Sequence, residues 1–177
     1  MPFEINQKGV LKKYTGNDGM IKIPPDVKKI GTGAFRGSNI ISVTIPGNVQ
    51  SIGREAFADC KKLETVFLNE GLTQIDYMAF AGCLNLTGLQ LPETLEEIGS
   101  GAFHLCGKLT ELKIPEKVKT ILPGTFELCS QLKSIKLPAG ITKIGDSAFA
   151  CCCHLETITL PGKTEIIEKM HFIPVPG

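Results

Sequence analysis

IGSGAFHLCGKLTELKIPEKVKT, residues 98–120, is one unit of a repeat that runs through almost the whole chain. Phenylalanines at 35, 57, 80, 103, 126 and 149 are spaced 22, 23, 23, 23 and 23 residues apart. Isoleucines at 30, 52, 75, 98, 121 and 144 keep the same phase, five residues ahead of each phenylalanine. Cysteines at 60, 83, 106, 129 and 152 follow five of those phenylalanines by three. Prolines at 24, 46, 92, 115, 138 and 161 mark a fourth position, with Asn69 at the one missing site. Four residue types in register establish an internal repeat, which has to be recognised before anything else is read from the chain.

Within the unit, residues 109–115 alternate apolar and polar around Leu112 and Ile114, the pattern of a half-buried strand. Pro115 then stops the ladder, because it has no amide hydrogen to donate. Val118 and Ile121 form a second short apolar pair, matched by Val27/Ile30, Val49/Ile52, Leu72/Ile75, Leu95/Ile98 and Ile141/Ile144, and predict a second extended edge. Residues 99–107 are too few for a full helix and predict one helical or 3-10 turn carrying Ala102 and Phe103 inward.

About six apolar residues per unit cannot bury a core alone, so successive units have to stack, Leu over Leu and Phe over Phe. Such coils pair their strands in parallel at ~4.8 Å, and seven of them make a stack on the order of 30 Å long with a parallel sheet down one face. The ends depart from the pattern. Residues 9–29 hold a strand at 20–24 but carry KKYTGNDG (12–19), rich in turn formers, where other units have Ala-Phe. The unit from Ile30 is one residue short, with GSNI (37–40) dropping the cysteine, and the phase dissolves after Ile167 into EKMHFIPVPG. The expected organisation is one domain over 1–177: an N-terminal capping coil (1–29), six repeats of 22–23 residues (30–167) and a C-terminal tail (168–177) covering the last coil, a complete short solenoid.

Composition excludes several function classes. Hydrophobic residues at 42% and charged residues at 21% belong to a folded globular chain. Nineteen basic against eighteen acidic residues give no electrostatic reason to expect nucleic acid or an anionic membrane as partner. No run of eighteen apolar residues is present to insert in a bilayer, and MPFEINQKGVLKKYTG (1–16) lacks the features of a signal peptide. A monomer is expected.

The phrases IGREAFADCKKLETVFL (52–68), IGSGAFHLCGKLTELKIP (98–115) and IGDSAFACCCHLETITLP (144–161) resemble the BspA-type leucine-rich repeat, and GVLKKYTGNDGMIKIPPDVKKIG (9–31) resembles the usual first coil of such arrays. The resemblance runs from about Gly9 to Ile167. It implies an α/β repeat solenoid, a right-handed leucine-rich-repeat coil with one parallel sheet face and short helical or 3-10 turns on the other side. It also implies a surface or secreted protein used in adhesion or protein binding, with a cytoplasmic location as the alternative. The chain departs from the family pattern at the short coil from Ile30, at Asn69, and at Leu122, Pro123 and Thr125.

The cysteine ladder sits where the family places a small buried residue, and cysteine behaves there as a small hydrophobe. Seven is an odd number of cysteines and no CxxC pair occurs, so neither a disulfide framework nor a zinc site is indicated. Cys151 and Cys153 flank the ladder member Cys152 and are the candidate reactive thiols. They also carry the weakest of three functional readings, a thiol-dependent redox or hydrolytic enzyme that pairs His154 with Cys152 or Cys153. His104 and His154 lie in the turns, His171 in the tail, and no third orienting group recurs. Asn85-Leu86-Thr87 matches the glycosylation tripeptide. No catalytic residue, cofactor or metal site is expected.

What the period leaves unassigned is the outer surface of the sheet. Alternation puts Val66 and Leu68 inward and Thr65 and Phe67 outward, and down the stack it exposes the column Thr44, Phe67, Gln90, Lys113, Lys136, Thr159. Phe67, Gln90, Glu111, Lys113 and Lys136 are the expected contacts for an unidentified protein partner, with an aromatic anchor beside charged groups. A non-enzymatic binding or adhesion module is the first reading, and a structural spacer in a larger surface protein is the second.

Overall fold

The computed structural model describes residues 2–159 and 166–167. Its strands, in chain order, are β1 (Phe3–Ile5), β2 (Val10–Tyr14), β3 (Met20–Lys22), β4 (Lys29–Ile30), β5 (Ser42–Ile45), β6 (Ser51–Ile52), β7 (Thr65–Leu68) and β8 (Gln74–Ile75). They continue as β9 (Gly88–Leu89), β10 (Glu97–Ile98), β11 (Glu111–Lys113), β12 (Thr120–Ile121), β13 (Ser134–Lys136), β14 (Lys143–Ile144), β15 (Thr157–Thr159) and β16 (Ile166–Ile167). The alternating segment of each unit forms the odd-numbered strands from β3 onward, and the isoleucine that ends each Val/Ile pair, with the residue before it, forms the short even-numbered ones from β4 onward. Both sets pair in parallel, so the coil has two strand faces where one sheet and an extended edge were expected.

The interior is the repeat itself. Phe35, Phe57, Phe80, Phe103, Phe126 and Phe149 are all at most 2% exposed. Their rings stack with centroids 4.7–5.6 Å apart and planes within 7° of parallel. Two further rings, tilted rather than parallel, continue the ladder beyond the phenylalanine spacing. Tyr14 lies 5.2 Å from Phe35, and Phe3 lies 5.2 Å from Tyr14. The Tyr14 amide donates to the Ala34 carbonyl just as the Phe35 amide donates to Ala56, so Tyr14 occupies the phenylalanine place of its coil. β1 runs antiparallel along the outer edge of β2.

The expected helical turn is not what forms. Among the described residues there is no helix, so none is long and apolar enough to cross a membrane. Each turn instead places two residues in the left-handed region, four apart: Glu55 and Asp59 at φ 53° and 59°, Gly101 and Leu105 at 63° and 59°. These reversals make successive amides alternate in direction. Ala56 and Ala58 donate within their own coil, to Gly53 and Glu55, whereas Phe57 and Asp59 donate to Ala79 and Ala81 of the next. A helix would direct all of these donors along its own axis; here half of them join neighbouring coils, and the turn becomes a third bonded face.

The 22-residue coil keeps its register, for Ser42, Val43, Thr44 and Ile45 pair with Thr65, Val66, Phe67 and Leu68 without a slip. Ser38 takes the cysteine place, with its amide on the Phe35 carbonyl, and Ile40 takes the leucine place, fully buried. The missing residue is therefore absorbed at the corner between them.

Both strand faces are interrupted at one shared level. β9 does not pair with β11, and β10 does not pair with β12, although every other successive coil pairs on both faces among the described residues. Backbone bonds seen elsewhere, such as Gly145 amide to Ile121 carbonyl, have no counterpart from Leu122 to Ile98. Leu122 supplies a physical reason. Its equivalents Gly53 and Gly145 approach the preceding coil so closely that a Cβ would lie 2.8 Å from the Ile30 oxygen and 2.6 Å from the Pro123 nitrogen. Asp76 is accommodated at this place with its carboxylate folded onto the Tyr77 amide at 2.6 Å, and its own amide still reaches Ile52. The larger leucine side chain instead lies half-buried in an opened seam. The sequence departure at Leu122 thus marks a break in the stack.

Candidate functional site

The face carried by β3, β5, β7, β9, β11, β13 and β15 presents the side chains that alternation turns away from the core. Parallel pairing sets Thr44 beside Phe67, and Lys113 beside Lys136. Val66 is 2% exposed and Phe67, its neighbour, 54%, so adjacent residues of one strand serve opposite surfaces. Burying such a ring against a partner would remove a large apolar area from water. Met20, at 81%, and Ile41, at 42%, are further exposed apolar residues that the alternation analysis left out.

Two adjoining hollows lie on this face. The first, about 360 Å³, is bordered by Thr65, Phe67, Asn69, Gly88 and Gln90. The second, about 550 Å³, is lined by Gln90, Glu93, Glu111, Lys113, Ser134 and Lys136. All five residues expected from the sequence as partner contacts therefore line one or the other, with Gln90 common to both. Lys113 is not a bare charge: its Nζ lies 2.5 Å from Glu93 Oε1. That ammonium holds the Glu93 carboxyl below the usual carboxylate range, and the carboxylate in turn raises Lys113. Sequence reading missed Glu93, because it lies beyond Pro92 and outside the alternating segment.

The thiols separate into two environments. Cys60, Cys83, Cys106, Cys129 and Cys152 are buried, and each Sγ donates to the carbonyl of a phenylalanine one coil earlier, at 3.0–3.3 Å. They are thus more than small hydrophobes, since each gives a second donor to a carbonyl that already accepts one amide. Cys151 is half-buried in the left-handed region at φ 58°, and Cys153 is exposed with its Sγ 3.4 Å from the Cys151 carbonyl. No base faces them. His154 Nδ1 donates to the Ser130 carbonyl at 2.7 Å, and the Cys152 thiol is committed to Phe126. His104 Nδ1 lies 3.5 Å from Glu127 Oε2. His171 and the tail at 168–177 lie outside the described residues. Asn85 Nδ2, the atom a glycan would occupy, donates to the Lys61 carbonyl at 2.7 Å. Among the described residues no cluster of three metal-ligating side chains occurs.

Comparison with known proteins agrees with this coil. The family described as "BspA type Leucine rich repeat region" matches residues 16–98 and 52–174, in six copies. A leucine rich cell surface protein from Faecalibacterium prausnitzii is 31% identical with a TM-score of 0.77, over 89% of this chain and 52% of its own. A leucine rich repeat protein from T. pallidum is 30% identical with a TM-score of 0.67, over 86% of both chains. One from Bacteroides ovatus is 32% identical with a TM-score of 0.67, over 88% of this chain and 49% of its own. The chain thus spans about half the length of the first and third of these relatives. Among curated proteins none matches the chain.

Proposed function

Because the chain belongs to the BspA-type leucine-rich repeat family, we propose that it is a non-enzymatic protein-binding module whose strand face, centred on Phe67, docks a protein partner. The carrying observation is the ring of Phe67, 54% exposed beside the hollow bordered by Thr65, Gly88 and Gln90. A buried-type aromatic held out on a rigid strand, with an empty seat next to it, is the usual form of an interface anchor. Gln90, Glu111, Lys113 and Lys136 extend the surface along the second hollow. Three coil steps separate Phe67 from Lys136, one of them the unpaired step from β9 to β11, so an extended peptide crosses them in at least about four residues. The partner that fits brings an apolar side chain to Phe67 and a carboxylate to Lys136. We place this binding at the cell surface, on the similarity to the leucine rich cell surface protein of Faecalibacterium prausnitzii.

A photo-crosslinking residue tests the reading. Placed at Gln90 it captures the partner; placed at Leu105, on the turn face, it does not. Phe67→Ala abolishes capture from Gln90. Equal capture from both faces, or capture that ignores Phe67→Ala, overturns the proposal in favour of a spacer or another face.

A further inference from the structure

The seam between β9/β10 and β11/β12 differs from every other coil boundary in what holds it. Its two strand faces have lost their backbone ladders. In their place stand two ion pairs that bridge the gap, Lys113 to Glu93 at 2.5 Å and Lys117 to Glu96 at 3.2 Å, with all four side chains more than half exposed. The turn face is intact: Gly101, Phe103 and Leu105 amides still reach the Pro123, Thr125 and Glu127 carbonyls. Beneath them Phe80, Phe103 and Phe126 remain stacked at 5.6 and 5.5 Å. A hollow opens on each strand face at this level, about 550 Å³ along Glu93, Glu111 and Lys113, and about 440 Å³ along Glu96, Lys119 and Leu122.

From this arrangement we infer that the solenoid is jointed: the stack bearing β1–β10 and the stack bearing β11–β16 swing about the intact turn face, opening and closing both hollows. The reasoning is mechanical. A parallel ladder resists separation because each bond broken leaves backbone groups to be resolvated together. Solvent-exposed ion pairs hold far less firmly and weaken with salt. With covalent continuity and three backbone bonds along one edge, and only side-chain contacts across the other two, the ion pairs outside and apolar packing of Leu89, Ile98, Leu112 and Ile121 beneath them, rotation about the bonded edge is the softest motion available. The joint stands independently of the docking reading, although the hollow it widens is the one assigned there to the partner.

Two measurements on the free protein decide it. Hydrogen exchange is expected to be faster by at least about tenfold at the Thr110, Glu111, Lys119 and Leu122 amides than at Lys133, Ser134, Thr142 and Gly145, their equivalents one coil on. Spin labels are then placed on a Cys151→Ser/Cys153→Ser background at two pairs of sites, each three coils apart. Gln50→Cys with Lys119→Cys crosses the seam, and Lys29→Cys with Glu97→Cys does not. The crossing pair gives the broader distance distribution, and raising salt from about 0.05 to about 0.5 M broadens it further while leaving the other pair unchanged. Equal exchange at the two sets of amides overturns the open seam. Fast exchange with distributions of equal width shows a fixed gap and overturns the joint.

Discussion

The thiol of Cys106 donates to the carbonyl oxygen of Phe80 at 3.3 Å, one coil back, and the same bond recurs at five levels of the stack. Burial first of all pushes these thiols up, Cys152 from 9.0 to about 12. A thiol with a raised folded-state pKa contributes its full stability below the unfolded value, and loses it as pH climbs toward the folded one. Resistance to denaturant is therefore expected to hold up to about pH 9 and to fall above it. Cys152→Ala should make that fall shallower by about one proton, roughly 1.4 kcal/mol per pH unit between pH 9 and 11. Denaturant midpoints measured across this range check it. In native protein at pH 8, a thiol reagent should modify Cys151 and Cys153 quickly and leave the ladder untouched until unfolding.

Phe103 sits mid-ladder with stacked neighbours on both sides. Phe103→Ala is expected to cost about 3–5 kcal/mol, because the cavity lies between two coils that the turn bonds prevent from collapsing. Equilibrium unfolding would reveal it as a lower midpoint, and a loss below about 1 kcal/mol would show the ring stack to be dispensable.

Ser147 holds φ 54° at a place where Gly33, Gly101 and Gly124 hold 61–63°. Ser147→Gly should stabilise the protein by up to about 1 kcal/mol, since glycine occupies this region without the Cβ clash that an L-residue carries. The reverse exchange, Gly101→Ala, should destabilise by a similar amount. Thermal melts of the two variants are the measurement.

Leu122→Gly removes the side chain from the crowded approach that its glycine equivalents make to the preceding coil. Slower exchange is the expected outcome at Thr120 and residue 122, as the bond to the Ile98 carbonyl forms. Unchanged exchange at both would mean that Leu122 does not hold the seam open.

On the docking face, Phe67→Ala should weaken the partner by about 2 kcal/mol or more, near thirtyfold, as for a central anchor. Lys136→Glu should act mainly on the association rate and lose its effect in high salt. Surface-binding kinetics at two ionic strengths separate the two.

Much of this architecture was legible in the sequence because the repeat constrains each position several times over. The inward set Val66, Ile135 and Leu112 and the outward Phe67 and Lys113 follow from alternation alone. Tyr14 was not legible as a ladder member, since it lies 21 residues before Phe35 and lacks the Ala-Phe phrase. The left-handed turns were hidden because glutamate, leucine and cysteine share places with glycine, and a side chain that disfavours a conformation does not announce it. Leu122 was visible as a departure, but its effect depends on how near the preceding backbone runs, which no spacing records. Glu93 escaped for a similar reason: its partner Lys113 is brought to it by stacking, twenty residues along the chain.

The 22-residue coil has a use beyond its own level. It shows that the corner between the cysteine place and the following buried leucine can change length while the faces on either side stay aligned. Gly107 and Lys108 form the same corner three coils later, between Cys106 and Leu109. A foreign loop spliced there would be carried outside the stack, leaving the ladders in phase, so the solenoid offers a row of evenly spaced graft points, one per coil, for displaying added segments in a fixed order.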